Sequence, residues 1–377
     1  MDFTFTEEQQ AAVEAAKAVF SDVAPDAVPS PALTPGAVSE DLDRPLWSRL
    51  AAAGLLGLTV SPEHGGAGLD PVALCLVLRE SARVLARVPL LETSAVAMTV
   101  ERYAPRETAA ALLPRVGRGE LVLTAASQGH TGHDPAECSV TARHDGTVWI
   151  LDGLQTAVPW AHGADLVAVP GHTPEGRTVL ALLPRTHAGL TLTAQYSTSG
   201  ELLAELRLDA VRLADADVID AEGAWKWLRG LLTTGTCALA LGLGEAVLTM
   251  TSQYTGKREQ FGHPVATFQA VAVQTADRYI DLRAMEATLW QAAWRLSSAS
   301  EGALPAEGDI AVAKIWASEG VRRVVQTAQH LHGGFGADTD YPLHRYHAWA
   351  KHLELSLGPA AAHEEALGDL LAAHPLG

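Results

Sequence analysis

A mixed α+β chain, with helices first, a sheet in the middle and helices again, is the fold class that these 377 residues predict. Three observations point there. The apolar residues recur at helical spacing at both ends of the chain, and between about residues 119 and 212 they fall into short runs of strand length. One of those runs ends in the Asp-Gly signature of a tight hairpin, at His144-Asp145-Gly146-Thr147. The length is about two and a half times the roughly 150-residue unit of a typical domain, so two or three domains are expected.

The first helix follows Thr6-Glu7-Glu8-Gln9, a capping-box pattern, with Ala11, Ala12, Ala16, Val19 and Phe20 at helical intervals behind it. Prolines in 24–35 end that helix. Helical patterning returns at Leu46, Trp47, Leu50 and Leu55, again from Leu74 to Val84, and from Glu107 to Val116, so residues 1–118 form a predicted α-helical domain. Strands are expected at Leu121–Thr124, Ser139–Ala142, Val148–Leu151, Leu166–Val169, Val179–Leu183 and Leu202–Leu208, which together make an antiparallel β domain over 119–212. From 213 to 377 the helical period governs Trp225–Thr255, Phe268–Ser297 and Ile310–His330, with a last pattern through Trp349, Leu353, Leu367 and Leu370.

Composition narrows the function. Hydrophobic residues make up 48% and charged residues 19%, which suits a chain with a sizeable core. Lys and Arg number 27 against 44 Asp and Glu, a net charge of −17, so the surface repels nucleic-acid phosphates and anionic lipid headgroups. Cys75, Cys138 and Cys237 are far apart and never in a C-x-x-C pair, and they read as small apolar fillers. The acidic start Met1-Asp2-Phe3-Thr4 is unlike a signal peptide, and no uncharged run approaches a membrane span, so a soluble cytoplasmic protein is expected. His344 and His347 at i, i+3, with His330 and His332 nearby, have no carboxylate or thiolate set at ligand spacing, and no metal is expected. The nine Trp residues are mostly packing residues.

The candidate chemistry lies in three ordered segments. An Arg beside a Gly turn suits a diphosphate, because guanidinium offers paired charge-assisted hydrogen bonds and glycine lets backbone N–H groups approach closely. Arg258 and Gly333-Gly334 fit that description. Leu46-Trp47 with Ala53–Leu58 and Pro62–Leu69, then Tyr254–Gln269 (YTGKREQFGHPVATFQ), then His332-Gly333-Gly334-Phe335-Gly336 before Asp340-Tyr341-Pro342-Leu343, resemble in turn the motifs of the acyl-CoA dehydrogenases. The resemblance covers nearly the whole chain and implies an α domain, a β-barrel-like middle domain and a four-helix C-terminal bundle. It also implies that Arg258, Phe261, Phe268, Gln269, Gly333 and Gly334 reach across a dimer interface to the FAD of the neighbouring subunit. The family's frequent Gln before the Gly-Gly turn falls here on His330, with Gln329 one place earlier.

The departures are as informative. Removing the proton α to a thioester needs a carboxylate within hydrogen-bond reach. The position that matches the family's usual base, fifteen residues after Pro342 and just before Gly358, is Leu357. The position used by a second subgroup, 26 residues before Arg258, is Leu232. Glu354 lies one turn before Leu357 and reads as an ordinary solvated helix glutamate. No catalytic residue is therefore expected in this chain. On the flavin face, Ala126-Ser127-Gln128 stands for the family's Thr-Glu-Pro, Gly132-His133-Asp134 for its Gly-Ser-Asp turn, and Ala157-Val158-Pro159 for its Trp-x-Thr. Pro159 supplies neither a hydroxyl nor an N–H.

Asp338–Tyr346, Trp349–Lys351 and Leu353–Gly358 are most similar to the actinobacterial acyl-CoA dehydrogenases of steroid side-chain catabolism, heterotetramers in which one subunit lacks the base and much of the flavin site. The resemblance implies an α2β2 assembly with a second acyl-CoA dehydrogenase-like subunit. FAD would be shared at each interface, the partner would supply the base, this chain alone would be inactive, and the substrate would be a bulky sterol-derived CoA thioester. Two other readings stay open. One is a homo-oligomer with lyase-type or flavin oxygenation chemistry, which would need an intact ligand cavity within this chain. The other is a flavin-free scaffold subunit.

Overall fold

The structure is a computed structural model that describes all residues except 1–3, 26–27, 29, 32–33, 40–41, 130–137, 299–301, 303 and 375–377. The Gly132-His133-Asp134 turn lies outside the described residues. The α+β expectation holds: helices, a sheet, then helices.

The N-terminal part holds α1 (Glu7–Phe20), α2 (Arg44–Ala52), α3 (Pro71–Arg83), α4 (Leu90–Tyr103) and α5 (Arg106–Gly117). The capping box forms as its residues dictate: Thr6 Oγ1 accepts from Gln9 N at 3.2 Å, and Gln9 Oε1 accepts from Thr6 N at 3.0 Å. Asp43 and Asp70 cap α2 and α3 by accepting from Leu46 N and Ala73 N. The helix α4 has no counterpart in the sequence reading. Its sequence, LLETSAVAMTVERY, buries Thr93, Ser94 and Thr99 along with its apolar residues, so burial runs round most of its faces and no amphipathic stripe marks it.

The middle part holds β1 (Leu123–Ala125), β2 (Val140–His144), β3 (Trp149–Pro159), β4 (Leu166–His172), β5 (Thr178–Pro184), β6 (Leu190–Tyr196), β7 (Leu202–Leu213) and β8 (Val218–Ile219). They form one sheet in the order β6-β7-β3-β2-β4-β5-β8, with β1 beside β4. The hairpin joins β2 to β3 as expected: Asp145 Oδ1 accepts from Thr147 N and Val148 N, and Gly146 takes φ +96°. The sheet is not wholly antiparallel. β1 runs parallel to β4, and β2 meets β4 in parallel at Thr141 and His172. Residues 121–125 enter from the helical domain and lie along the near edge of β4, a contact between distant segments that local patterning does not encode.

The C-terminal part holds α6 (Ala224–Lys257), a small hairpin of β9 (Glu259–Gln260) and β10 (His263–Pro264), α7 (Gln269–Ser298), α8 (Ala306–His332), α9 (Leu343–Leu355) and α10 (Ala360–Ala373). The final helical pattern is thus two helices. Leu357 (φ +60°) and Gly358 (φ +95°) leave right-handed helical space, and Pro359 opens α10. By length and composition α6 is apolar enough to cross a membrane, more so than the sequence reading allowed, but it is the central core helix, with 83% of that stretch buried. It packs closely on α3: a Cβ at Gly242 would stand 2.0 Å from the Arg79 carbonyl oxygen. One apolar core joins the N- and C-terminal helices to β1, β4 and β5, and a second fills the sheet around Leu151, Val169, Leu183 and Leu206.

Candidate functional site

Where the three parts meet, the chain forms a partly open cavity of about 430 Å³. The helices α3, α4 and α6 supply apolar walls through Leu78, Leu91 and Leu239. The ends of β1 and β3 supply Ser127, Gln128, Ala157, Pro159 and Trp160, and α9 with its following turn supplies Trp349, His352 and Leu357.

Both positions matched to the family's base lie in this lining. Leu232 and Leu357, 125 residues apart in sequence, are buried and face the same space. Neither carries a titratable group. The Leu357 N–H donates to Gln128 Oε1 at 3.1 Å, and the Leu357 carbonyl accepts from His363 Nε2 at 2.8 Å. Both backbone groups of the turn are consumed within the chain. Glu354 is not part of the lining and pairs with Lys351 at 2.6 Å.

Behind this turn sits Lys314, fully buried, whose ammonium donates to Leu353 O at 3.1 Å, Glu354 O at 3.0 Å and Ser318 Oγ at 2.8 Å. It holds the carbonyls at the end of α9, where a cation suits the helix dipole. Burial brings its pKa down to about 8, against smaller opposing effects of Cys237 and Glu354. Burial likewise lowers His352 and His363 to about 4, so both are neutral near pH 7.

Among the polar side chains of this lining that sequence reasoning missed is Glu92, on α4. Burial pushes its carboxyl up to about 7, the neighbouring Glu201 adds to the rise, and the Trp160 indole donates to it. Glu201 is itself held by Arg87 at 3.2 Å.

The interface residues suggested by the motifs lie elsewhere, on the outer edge. Arg258 ends α6, and its carbonyl accepts from Val265 N at 2.7 Å, which closes the β9–β10 hairpin. Its guanidinium has no hydrogen bond or ion pair among the described residues. Phe261, at the hairpin tip, is 91% exposed and sits edge-on to Phe268, with ring centroids 6.4 Å apart. Gln269, at the start of α7, is exposed. Tyr254 stacks on His332 at 4.4 Å and on Phe335 at 5.2 Å, which brings the end of α6 against the Gly333-Gly334 turn. Both glycines are exposed with open space where a Cβ would be. His330 is exposed in the last turn of α8, and Gln329 Nε2 donates to the Gly333 carbonyl at 3.5 Å. Among the other histidines, His332 bonds to Ala328 O and Tyr341 OH, and His344 to Tyr341 O. No group of three or more His, Cys, Asp or Glu arranged for a metal occurs among the described residues.

The two regions differ in their fit to FAD. The outer edge offers a free guanidinium, exposed aromatics and an uncovered glycine turn, all directed away from this chain's own cavity, and it fits part of a dinucleotide. The cavity wall offers Ala157, Pro159 and an already engaged Gln128 where a flavin ring would need donors, and it fits the ring poorly.

Comparison with known proteins agrees with this architecture. Residues 6–120 match the model of the acyl-CoA dehydrogenase N-terminal domain, and residues 233–371 that of the C-terminal domain. The chain is 34% identical to the acyl-CoA dehydrogenase FadE27 of Mycobacterium tuberculosis over 90% of this chain and 91% of that one. Among solved structures it resembles a Tcur3481-Tcur3483 steroid ACAD variant (37% identity, TM-score 0.89, 97% of this chain and 98% of that chain). It also resembles the ChsE4-ChsE5 complex from M. tuberculosis (33% identity, TM-score 0.90, 100% of both chains). With its core, sheet order and terminal bundle in place, the chain belongs to the acyl-CoA dehydrogenase family.

Proposed function

We propose that this chain is the base-lacking subunit of a heteromeric, FAD-dependent acyl-CoA dehydrogenase of the cytoplasm. It pairs with a second acyl-CoA dehydrogenase-like subunit in an α2β2 heterotetramer and is inactive alone. The observation that carries this reading is the contrast between the two regions. Leucines occupy both base positions in the cavity, while the outward edge keeps its Arg, aromatic and glycine set. FAD would supply the hydride acceptor for α,β-dehydrogenation, and the partner would supply the carboxylate. Arg258 holds the partner's FAD diphosphate, Gly333 and Gly334 offer it backbone N–H groups, Phe261 and Phe268 pack at its edge, and Gln269 and His330 complete the polar rim. The substrate is a bulky, sterol-derived CoA thioester. That assignment is supported by similarity to a steroid ACAD of two named components.

The homo-oligomer reading needs an intact cavity within this chain, and the cavity is there. What that cavity lacks is a base at either family position and a flavin-binding wall.

Arg258→Ala, made in the co-purified complex, tests the role of the edge. A charge-assisted contact contributes about 1.5–3 kcal/mol, so FAD retention is expected to weaken roughly 10- to 150-fold. Equilibrium dialysis of the complex measures it. Unchanged FAD affinity would leave the edge as scaffold only.

A further inference from the structure

We propose that this chain seals its own flavin-facing wall with two glutamine amides, Gln128 and Gln195, which take up the backbone donors that a bound ring would need. The inference concerns the single chain and goes beyond the completion of a partner's flavin.

Size does not keep a ring out. The space of about 430 Å³ lies in the range of small-molecule sites and is partly open. Hydrogen bonding decides instead, because the polar edge of an isoalloxazine is rich in carbonyl oxygens and ring nitrogens that accept, and a buried acceptor without a donor is costly.

On the sheet side a donor arises and is consumed. The pairing of β3 with β7 shifts register between Gln155 and Val158, and this bulge leaves Thr156 and Ala157 opposite Glu205 alone, with Ala157 at φ +51°. The Ala157 N–H, freed from the ladder, donates to Gln195 Oε1 at 2.8 Å, and Gln195 Nε2 donates to Thr156 Oγ1 at 3.0 Å. The Thr156 N–H donates to the Gly129 carbonyl at 2.8 Å. On the helical side, Leu357 has left the α9 ladder, and its N–H goes to Gln128 Oε1, 229 residues away in sequence.

Other donors of the lining are engaged in the same way. Thr236 Oγ1 donates to Leu232 O at 2.9 Å, Ser356 Oγ donates to His352 O at 2.8 Å, and the Lys351 ammonium pairs with Glu354. Trp349 Nε1 finds no acceptor among the described residues, but one indole N–H does not serve an edge of several acceptors. Each glutamine also ties distant segments together: Gln128 joins the stretch after β1 to the turn after α9, and Gln195 joins the edge strand β6 to β3.

Riboflavin is the probe, because it carries the ring without the diphosphate that Arg258 would hold. Fluorescence titration of the purified chain, or of the complex with its FAD in place if the chain is obtained only in that form, compares wild type with the double variant Gln128→Ala/Gln195→Ala. No saturable quenching is expected for wild type, and saturable binding at least tenfold tighter is expected for the double variant. A folded double variant that binds riboflavin no better than wild type would overturn the proposal and leave the subunit reading standing. Wild type that binds as tightly as the variant would overturn both. Hydrogen exchange, read by mass spectrometry on the single variants, decides the matter if the double variant does not fold. Gln128→Ala should speed exchange of the Leu357 amide at least fivefold and leave Ala157 unchanged, and Gln195→Ala should do the reverse. Exchange that moves at neither amide would overturn the proposal.

Discussion

Two leucines, Leu232 and Leu357, stand where the family's base is matched. Leu357 occupies a turn at φ +60°, a conformation costly for a residue with a Cβ. Restoring the base therefore tests whether a base is all that is missing. In the heteromer, Leu357→Glu is expected to leave turnover per tetramer and flavin content unchanged, because Ala157 and Pro159 still deny the ring its donors. A second set of active sites, seen as doubled flavin content and turnover, would contradict this. Lys314 gives a separate prediction. Its folded-state pKa of about 8 lies below its ordinary 10.5, so between these values the unfolded chain binds a proton that the folded chain has lost. Stability from this residue therefore rises with pH from about 8 to 10.5. Lys314→Met should remove that rise, as read from urea midpoints at pH 7.5 and pH 10, and an unchanged slope would place the ammonium in a different environment.

At the scale of elements, α6 organises the molecule, because α3, α4, α7, α8 and α9 all pack on it. Its glycines permit the approach. Gly242→Ala would gain about 1 kcal/mol of helix propensity in isolation, but its Cβ meets the Arg79 carbonyl, and overpacking of this kind costs about 1–3 kcal/mol. A net loss of thermal stability is expected, together with strain on the Arg79 pairs to Glu245 and Glu286. A higher midpoint by calorimetry would count against this packing. Elements were legible in the sequence where a local rule operates. Thr6 and Gln9 cap α1, Asp145-Gly146 turns the β2–β3 hairpin, and amphipathic spacing marks α3. α4 escaped because uniform burial erases the period, and β6 because its alternation is interrupted, with Thr193 and Ala194 both exposed. The parallel contacts of β1 and β2 with β4 escaped because no local pattern distinguishes them from antiparallel pairs.

For the whole molecule, the motifs pointed to Arg258 and the Gly333-Gly334 turn and matched Leu232 and Leu357 to the family's base positions, and the fold then placed the two leucines on one cavity. Glu92 was not legible because its importance comes from the walls around it, which are assembled from helices and strands far apart in the chain. The outward surface bears on assembly. Phe261, Val273, Tyr279 and Ile280, on the hairpin and the first half of α7, are all more than half exposed in the single chain. Large apolar groups gathered on a surface mark an interaction site, and this surface adjoins Arg258. A heteromer would cover it and would finish a flavin site that neither subunit completes alone. The most direct test is the visible absorption spectrum and native mass of the chain alone and of the chain co-expressed with acyl-CoA dehydrogenase-like proteins encoded beside it. A colourless single chain that becomes a yellow α2β2 heterotetramer with two flavins is the expected result. A yellow homotetramer of this chain alone, with one flavin per subunit, would contradict it.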